Sequence, residues 1–172
     1  MGLSGQKELD IALTLVAGKM KDLRPAWEEI EQLMISLQKK VFKSKGSAEG
    51  LKKWEDLKPR TIAQKKKINS RWAIFPLIRT ERLMNAWISK TGTKDSVRIK
   101  QPLFFAYGID ENEITYAAHH QWGAPKANIP KREILRIPLV FRKKIPNIIT
   151  KHLLSTGQAE RKTIFDRVGV DR

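Results

Sequence analysis

The chain carries its clearest structural signal in residues 24–42, which read RPAWEEIEQLMISLQKKVF. Apolar side chains recur there every three or four residues, which is typical of a helix with one buried face. Pro25 suits the first turn, where its missing N–H needs no partner. Acidic residues near the start and basic residues near the end complement the helix dipole, at roughly 0.3–1 kcal/mol per well-placed charge. The sequence therefore predicts a long amphipathic helix whose apolar face holds Trp27, Ile30, Met34, Leu37 and Val41.

Shorter helical patterns lie on both sides of this segment. Upstream, residues 6–23 repeat an apolar residue every three or four positions, although residues 9–15 also fit the alternation of a short strand. The apolar face of the upstream helix is predicted to hold Leu9, Leu13, Val16, Met20 and Leu23. Downstream, Pro59 is expected to open a short helix that ends near Ile68.

Two more helices are predicted in the second half of the chain. Thr80 suits the N-cap of the first one, and Glu81 suits its first turn. Its inward face is predicted to hold Leu83, Met84, Trp87 and Ile88. A C-terminal helix is expected from about Phe141 to Leu154, and Pro146 either kinks it or starts a fresh helix. Residues 156–172 form a polar tail that is expected to become ordered only against a partner.

Residues 97–117 have the character of strands. Apolar and basic residues alternate over positions 97–100, as in a half-exposed strand. Residues 103–109 predict a second strand and residues 114–117 a third, with a hairpin turn at residues 110–113. Such short connections imply antiparallel pairing of the strands.

Charge is the compositional outlier of this chain. Its 172 residues hold 34 Lys and Arg against 18 Asp and Glu, a net charge of +16. Residues 39–72 hold 12 basic and 3 acidic residues, and residues 126–151 hold 8 and 1, so the remainder is neutral overall. Such a surplus indicates an anionic partner. The two segments form one positive patch if they share a face and two solvated faces otherwise, and the sequence leaves both arrangements open.

Each basic segment contains a triplet that forms a candidate basic interface. The triplets are Lys65, Lys66, Lys67 and Arg142, Lys143, Lys144. One interpretation is a solvated helix face. The other is a contact with DNA phosphates or with an acidic ring of a neighbouring protein.

Several classes of function are excluded by what the chain lacks. It contains no cysteine, which excludes disulfides, thiolate zinc sites and cysteine nucleophiles. The longest apolar run, residues 103–106, is too short to span a bilayer, so a soluble intracellular protein is expected. The acidic clusters at residues 28–31 and 110–113 already have structural explanations, and no zinc-protease or phosphate-loop motif is present. We therefore expect no enzyme activity, no cofactor, no metal, no membrane contact and no small-molecule ligand.

Four short signatures follow one another over about 80 residues. They are Trp54-x-x-Leu57-x-x-x-Thr61, Leu77-x-x-Thr80-x-x-Leu83, Tyr116-Ala117-x-x-His120-Gln121-x-Gly123 and Ile129-Pro130-x-Arg132. The third signature favours a strand end that turns sharply at Gly123, with a positive φ there. The side chains of His120 and Gln121 are then expected to hydrogen-bond freed backbone groups, which is favoured over metal binding because no third ligand lies nearby. Arg132 is expected to bind an internal carboxylate or backbone acceptor in preference to a phosphate.

In this order the signatures resemble the phage virion morphogenesis family, whose members act as tail completion and head–tail joining proteins. The resemblance covers roughly residues 54–135, and the helical N-terminal part is similar too. It implies an α+β fold in one domain over residues 1–155, with N-terminal helices packed on a small antiparallel sheet of about three or four strands and a C-terminal helix. The family usually has a glycine where this chain has Glu81, so a capped helix start is expected there instead of a tight turn.

The resemblance implies a structural role without catalysis. The protein would act as one subunit of a ring, expected to be hexameric, at the head-proximal end of the tail or in the neck. Its partners would be copies of itself and other tail and neck or connector proteins, in the virion and, during assembly, in the host cytoplasm. The alternative is a basic DNA-binding protein that contacts the packaged or passing genome, although no helix-turn-helix, zinc-finger or ribonucleoprotein signature is present.

Overall fold

The computed structural model of the chain describes residues 3–110 and 112–155. The helices are α1 (Leu3–Met20), α2 (Arg24–Lys43), α3 (Pro59–Ile68), α4 (Arg82–Ile88), α5 (Tyr116–Trp122) and α6 (Leu139–Leu154). The strands are β1 (Ser96–Gln101) and β2 (Phe104–Ile109). The α+β class is confirmed, but the sheet of the described residues has two antiparallel strands rather than three or four. The predicted tail, residues 156–172, lies outside the described residues, and the division into domain and tail stays a prediction.

Helix α2 is the centre of the core. It begins at Arg24 with Pro25 in its first turn and ends at Lys43, which confirms the prediction. Its buried face contacts α4, α6 and β1. Leu37 and Val41 are fully buried, and burial of one such side chain stabilises the fold by about 1.5–3 kcal/mol. The core around them includes Phe42, Trp54, Ile78, Leu83, Trp87, Ile114 and Phe141.

Helix α1 confirms the upstream helix, and the alternative of a short strand is wrong. Its orientation differs from the predicted one. Ile11 and Leu15, one turn apart, are buried, whereas Leu9, Leu13 and Met20 are more than half exposed. The main neighbour of α1 in the described residues is α6. A single neighbouring helix buries only a narrow stripe, so the longer apolar stripe of α1 stays open to solvent.

The predicted third strand is wrong. The Ile114 N–H donates to the Asp110 carbonyl at 3.0 Å, and the Ala117 N–H donates to the Ile114 carbonyl at 3.0 Å. These are turn and helix bonds, and α5 follows directly. Ile114 is a good strand former, but its complete burial among the helices decides the local conformation. Residues 110–113 therefore connect β2 to α5, and the true hairpin turn lies at residues 102–103.

Strand β1 turns its charged side chains inward. Glu31 of α2 is buried, and its carboxylate lies 3.3 Å from Arg98 Nε and 2.9 Å from Lys100 Nζ. Arg98 also donates hydrogen bonds to the main-chain carbonyls of Ala86 and Trp87 in α4, at 2.8 and 3.0 Å. Because side chains alternate along a strand, the apolar residues of β1 lie on the opposite side, away from α2.

The hairpin turn is fixed to the corner between α1 and α2. The Leu23 N–H donates to the Pro102 carbonyl at 2.8 Å. The indole N–H of Trp27 donates to the Gln101 carbonyl at 3.0 Å. These bonds hold the hairpin in a defined position on the helical core.

Helix α6 stays continuous through Pro146, so this proline does not start a fresh helix. Phe141 near its beginning is buried, and the helix contacts α1 and α2. Near its end, Nε2 of His152 lies 3.1 Å from the Asp22 carbonyl oxygen at the α1–α2 corner. Among the described residues, no helix has the length and hydropathy needed to cross a membrane.

Candidate functional site

Most of the signature residues line one groove. It consists of two adjoining cavities of about 670 Å³ and about 600 Å³, which share Leu57, Thr61 and His120 in their walls. We call the pair the signature groove. The first cavity lies between residues 55–58 and residues 122–132, and the second lies between α3 and residues 77–83. The signature residues in its walls are Leu57, Thr61, Leu77, Thr80, Leu83, Tyr116, His120, Gly123, Ile129, Pro130 and Arg132.

Trp54 and Gln121 tie the segment after Arg132 to the groove walls. The indole N–H of buried Trp54 donates to the Glu133 carbonyl at 3.0 Å. Gln121 Oε1 accepts hydrogen bonds from the N–H groups of Ile134 at 2.7 Å and Leu135 at 2.9 Å. The prediction that Gln121 binds backbone groups is confirmed. Two side chains from distant signatures therefore hold the same short segment in place.

Arg132 joins two walls of the groove from inside the protein. Its side chain is buried, and its Nε and Nη2 donate to the Glu55 main-chain carbonyl at 3.3 and 3.2 Å. Its own N–H donates to the His120 carbonyl at 2.7 Å. The predicted internal acceptor is confirmed, and it is a backbone carbonyl. The guanidinium therefore fixes residue 55 relative to α5.

His120 contributes a neutral ring to both cavities. Burial, followed by the nearby positive charges of Arg132 and His119, lowers the pKa of His120 to about 4. The ring meets Tyr116 edge to face, with centroids 6.3 Å apart. Its buried Nδ1 has no hydrogen-bond partner among the described residues, so the predicted side-chain bond to the backbone is wrong. The same part of the chain contains no cluster of three His, Cys, Asp or Glu that could hold a metal.

Gly123 allows the chain to turn tightly at the end of α5. Its φ is 82° and its ψ is 157°, which confirms the predicted positive φ. This backbone region is almost restricted to glycine. A Cβ at this position would lie 3.2 Å from the Lys131 nitrogen and 3.3 Å from the Lys131 Cβ. The sharp turn is confirmed, but it follows a helix rather than a strand.

Glu81 adopts the conformation that the family glycine suits best. Its φ is 63° and its ψ is −5°, so the expectation of a capped helix start without a tight turn is wrong. Thr80 does not cap α4, which begins at Arg82 directly after Glu81. The Glu81 carboxylate accepts a hydrogen bond from the Trp72 indole, which helps to hold the turn. Leu77, in the same groove wall, also has a positive φ of 63°.

Lys65 differs from its neighbours in the first basic triplet. It is buried, and its ammonium group donates to the Phe75 carbonyl. Burial lowers the pKa of Lys65 to about 8, and the charges of Arg132 and Arg79 act in the same direction. Lys65 therefore anchors the loop after α3 and is unavailable as a surface contact. Exposed basic residues of this triplet are Lys66 and Lys67.

The second triplet lies on α6 and is exposed. Arg142 Nε donates to the Ile137 carbonyl at 3.0 Å, and Lys144 Nζ lies 5.1 Å from the Phe141 ring centroid. In the described contacts, α6 packs on α1 and α2, whereas α3 packs on the turn at residues 70–72. These contacts attach the two triplets to different parts of the fold.

Two charged clusters were missed by sequence reasoning. Arg82 binds Asp95 through two hydrogen bonds of 2.9 and 2.6 Å and contacts Glu113 at 2.9 Å. Hydrogen bonding to Arg82 lowers the pKa of the Asp95 carboxyl. No spacing in the sequence links these residues. The second cluster, around Glu31, had a signal, because Glu31 lies four residues after Trp27 on the apolar side of α2.

The family model of the phage virion morphogenesis family matches residues 5–154. No curated protein and no solved structure gives a significant match. The match includes all four signatures, α1 to α6 almost entirely, and every wall of the signature groove. The family is one of structural and assembly proteins of phage virions. On the strength of this match, the chain belongs to the phage virion morphogenesis family.

Proposed function

We propose that this protein completes the phage tail and joins it to the neck connector of the head, as one subunit of a ring that is hexameric. Family membership supports a structural role in virion assembly. The observation that carries the finer proposal is the signature groove, because four separate signatures meet around one open surface. A packing role alone would distribute such residues through the core.

The groove suits the docking of a polypeptide segment better than proton-transfer chemistry. Two of its three carboxylates already have partners, since Asp56 lies 2.9 Å from Lys53 Nζ and Glu81 accepts from Trp72. His120 has a pKa of about 4 because it is buried, so it is a poor general base near neutral pH. The loops around it are held by bonds to main-chain atoms, which gives a preformed shape.

The charge of the groove indicates an acidic partner segment. Its walls hold six basic side chains against three acidic ones. Lys58 and Arg79 are exposed there and meet solvent directly. An acidic segment of a neighbouring neck or tail protein would complement this charge and be guided to it. Such a segment also offsets the net charge of +16 on each copy.

Charge reversal in the groove tests this proposal. Phage that lack the gene product are supplied with the Lys58→Glu, Arg79→Glu double variant, and infectious titre and particle images are recorded. Because like charges at an interface cost several kcal/mol, we expect titre to fall more than about tenfold. Finished heads and separate tails should accumulate.

The matched control is the Lys52→Glu, Lys90→Glu double variant, whose residues are exposed and lie outside the groove walls. It changes net charge equally and should restore titre. Wild-type titre from the groove variant would contradict the docking role. Fully infectious particles without the gene product would contradict the proposed function altogether.

A second candidate function is non-specific DNA binding alongside the structural role. The exposed side chains of Lys66, Lys67 and Lys143 favour it. Affinity for a DNA duplex should then fall steeply with salt. The Lys66→Ala, Lys67→Ala variant should lower the slope of log affinity against log salt by about 2. An unchanged slope would show that these lysines do not contact phosphates.

A further inference from the structure

The hairpin exposes an apolar face. Cross-strand pairs share a face of the sheet, and the pairs Val97↔Gly108, Ile99↔Ala106 and Gln101↔Phe104 lie opposite the side that contacts α2. Ile99 is 39% exposed and Phe104 is 52% exposed. We call the side chains of Val97, Ile99, Phe104 and Ala106 the outer hairpin face.

Strand β1 has a polarity that is unusual for a sheet with one solvated face. An antiparallel sheet with one free face normally places apolar residues inward and polar residues outward. In β1 alone this order is reversed: Arg98 and Lys100 point inward to the buried Glu31, whereas Val97 and Ile99 point outward. In β2, Phe105 and Tyr107 pack inward as usual, and Phe104 and Ala106 add to the outward apolar side chains. The hairpin therefore has apolar side chains on both faces, and the uncovered ones at Ile99 and Phe104 mark the outer hairpin face as a contact surface.

A second uncovered apolar surface lies on α1. Leu9, Leu13 and Met20 are 58%, 57% and 56% exposed, and their spacing places them along one side of the helix. We call them the outer α1 stripe. Both surfaces belong to the same chain, and both are exposed in the isolated subunit.

The outer α1 stripe and the outer hairpin face are both apolar and have similar lengths. A helix packed across a sheet is one of the stable layer arrangements of proteins. The outer α1 stripe extends over 11 residue steps, about 16 Å at the helical rise. The six-residue strands β1 and β2 extend about 17–20 Å. One stripe can therefore cover one hairpin face.

Charge favours a second copy of this chain as the occupant. Two copies at +16 repel wherever their basic segments approach. The outer α1 stripe lies in residues 6–23, which hold three basic and three acidic residues. The basic residues of the hairpin are paired with Glu31 on its inward side. These two surfaces lie outside the two strongly basic segments, so like-charged copies can meet there at a lower electrostatic cost than through those segments.

We propose that the outer α1 stripe of one copy covers the outer hairpin face of the next copy. The two surfaces are different, so the contact can repeat from copy to copy and close into a ring. This proposed contact rests on the ring in the proposed function, and it identifies the surfaces through which neighbouring subunits of that ring would bind. It is separate from the signature groove, which faces other virion proteins.

A mixing experiment tests the assignment. Leu13→Glu disables the stripe, Ile99→Glu disables the hairpin face, and Leu139→Glu is the control on α6, where Leu139 is 66% exposed. Sedimentation velocity is measured in about 0.5 M NaCl, which screens long-range repulsion. Wild type and Leu139→Glu should assemble, and each interface variant alone should stay monomeric. An equimolar mixture of the two interface variants should form pairs and nothing larger, because it retains one intact contact.

Three results would overturn the assignment: monomeric wild type, interface variants that assemble like wild type, or a mixture that stays monomeric. Circular dichroism shows whether each variant is folded. Leu9→Glu and Phe104→Glu replace any variant that is not. The groove experiment separates the two proposals, because loss of head–tail joining in groove variants stands even if this contact is disproved.

Discussion

Glu81 and Leu77 hold left-handed backbone conformations in the same wall of the signature groove. Such conformations cost of order 1–3 kcal/mol each in residues other than glycine. At Glu81, the bond from the Trp72 indole to the carboxylate offsets part of this strain. The groove wall therefore contains backbone strain at two positions, and such strain is common at binding sites.

Replacement of Glu81 tests this strain directly. Glu81→Gly and Glu81→Ala both lose the bond to Trp72, but only glycine adopts a φ of 63° without penalty. The glycine variant should be more stable than the alanine variant by about 0.5–1 kcal/mol, after the greater flexibility of unfolded glycine is included. Urea denaturation measures the difference. An alanine variant of equal or greater stability would show that position 81 is unstrained.

His120 predicts a pH dependence of stability. Burial, then Arg132 and His119, lowers the pKa of His120 from 6.5 to about 4 in the folded protein. Below pH 6.5 the unfolded chain takes up a proton that the folded protein refuses, so stability should fall until about pH 4. The free energy of unfolding is measured by urea between pH 7 and pH 4. In His120→Asn, the decrease in this free energy that is due to His120 should be absent. The exposed neighbour provides the control: His119→Asn removes only the last of the three causes of the shift, so most of the wild-type pH dependence should remain. Identical profiles for all three proteins would contradict the burial of His120.

At the level of elements, the basic triplet on α3 contains two kinds of residue: Lys65 is buried and anchors a loop, whereas Lys66 and Lys67 are exposed. Lys65→Ala removes the donor to the partly buried Phe75 carbonyl and should destabilise the protein by about 1–3 kcal/mol. Lys66→Ala changes an exposed side chain, and its effect should stay within about 0.5 kcal/mol. Thermal or urea unfolding compares the two. Equal effects would show that the three lysines are equivalent.

The elements also show why sequence predicted some of the fold and not the rest. Helix α2 was predicted nearly to its ends, because its apolar period, its proline and its end charges agree. Helix α1 was predicted, but its buried side was not, since two interleaved apolar stripes compete and only contact with α6 selects Ile11 and Leu15. The sequence of residues 114–117 predicts a strand wrongly, because local preference carries no information about the tertiary burial of Ile114.

In the candidate site too, the sequence predicts some features and not others. The signatures identified the residues of the groove, and the internal roles of Gln121 and Arg132 follow from their hydrogen-bonding chemistry. The family glycine at position 81 is a signal for the left-handed Glu81, although helix-capping preference points the other way. The buried Lys65 could not be foreseen, because its acceptor at Phe75 is set by loop geometry. The inward orientation of Arg98 and Lys100 could not be predicted from β1 alone, because their partner Glu31 lies 69 residues before Lys100.

For the whole molecule, the net charge predicts that assembly depends on the salt concentration and on acidic partners. Each copy carries +16, and at about 10 mM salt the repulsion reaches roughly 30 Å. The isolated protein should therefore be largely monomeric at low salt. It should assemble when salt is raised or when an acidic polypeptide such as polyglutamate is added. Light scattering during a salt titration measures this, and stable rings formed by the pure protein at low salt would contradict it.

Arg98 has a mechanical consequence for such an assembly. Its guanidinium binds carbonyls at the end of α4 and lies against Glu31 of α2, while its backbone belongs to the hairpin. A pull on the hairpin is therefore transmitted to both helices through one rigid, planar group. In the ring proposed above, a load on the subunit contact would stress that linkage in shear, across several bonds at once, and the hairpin would resist separation from its subunit.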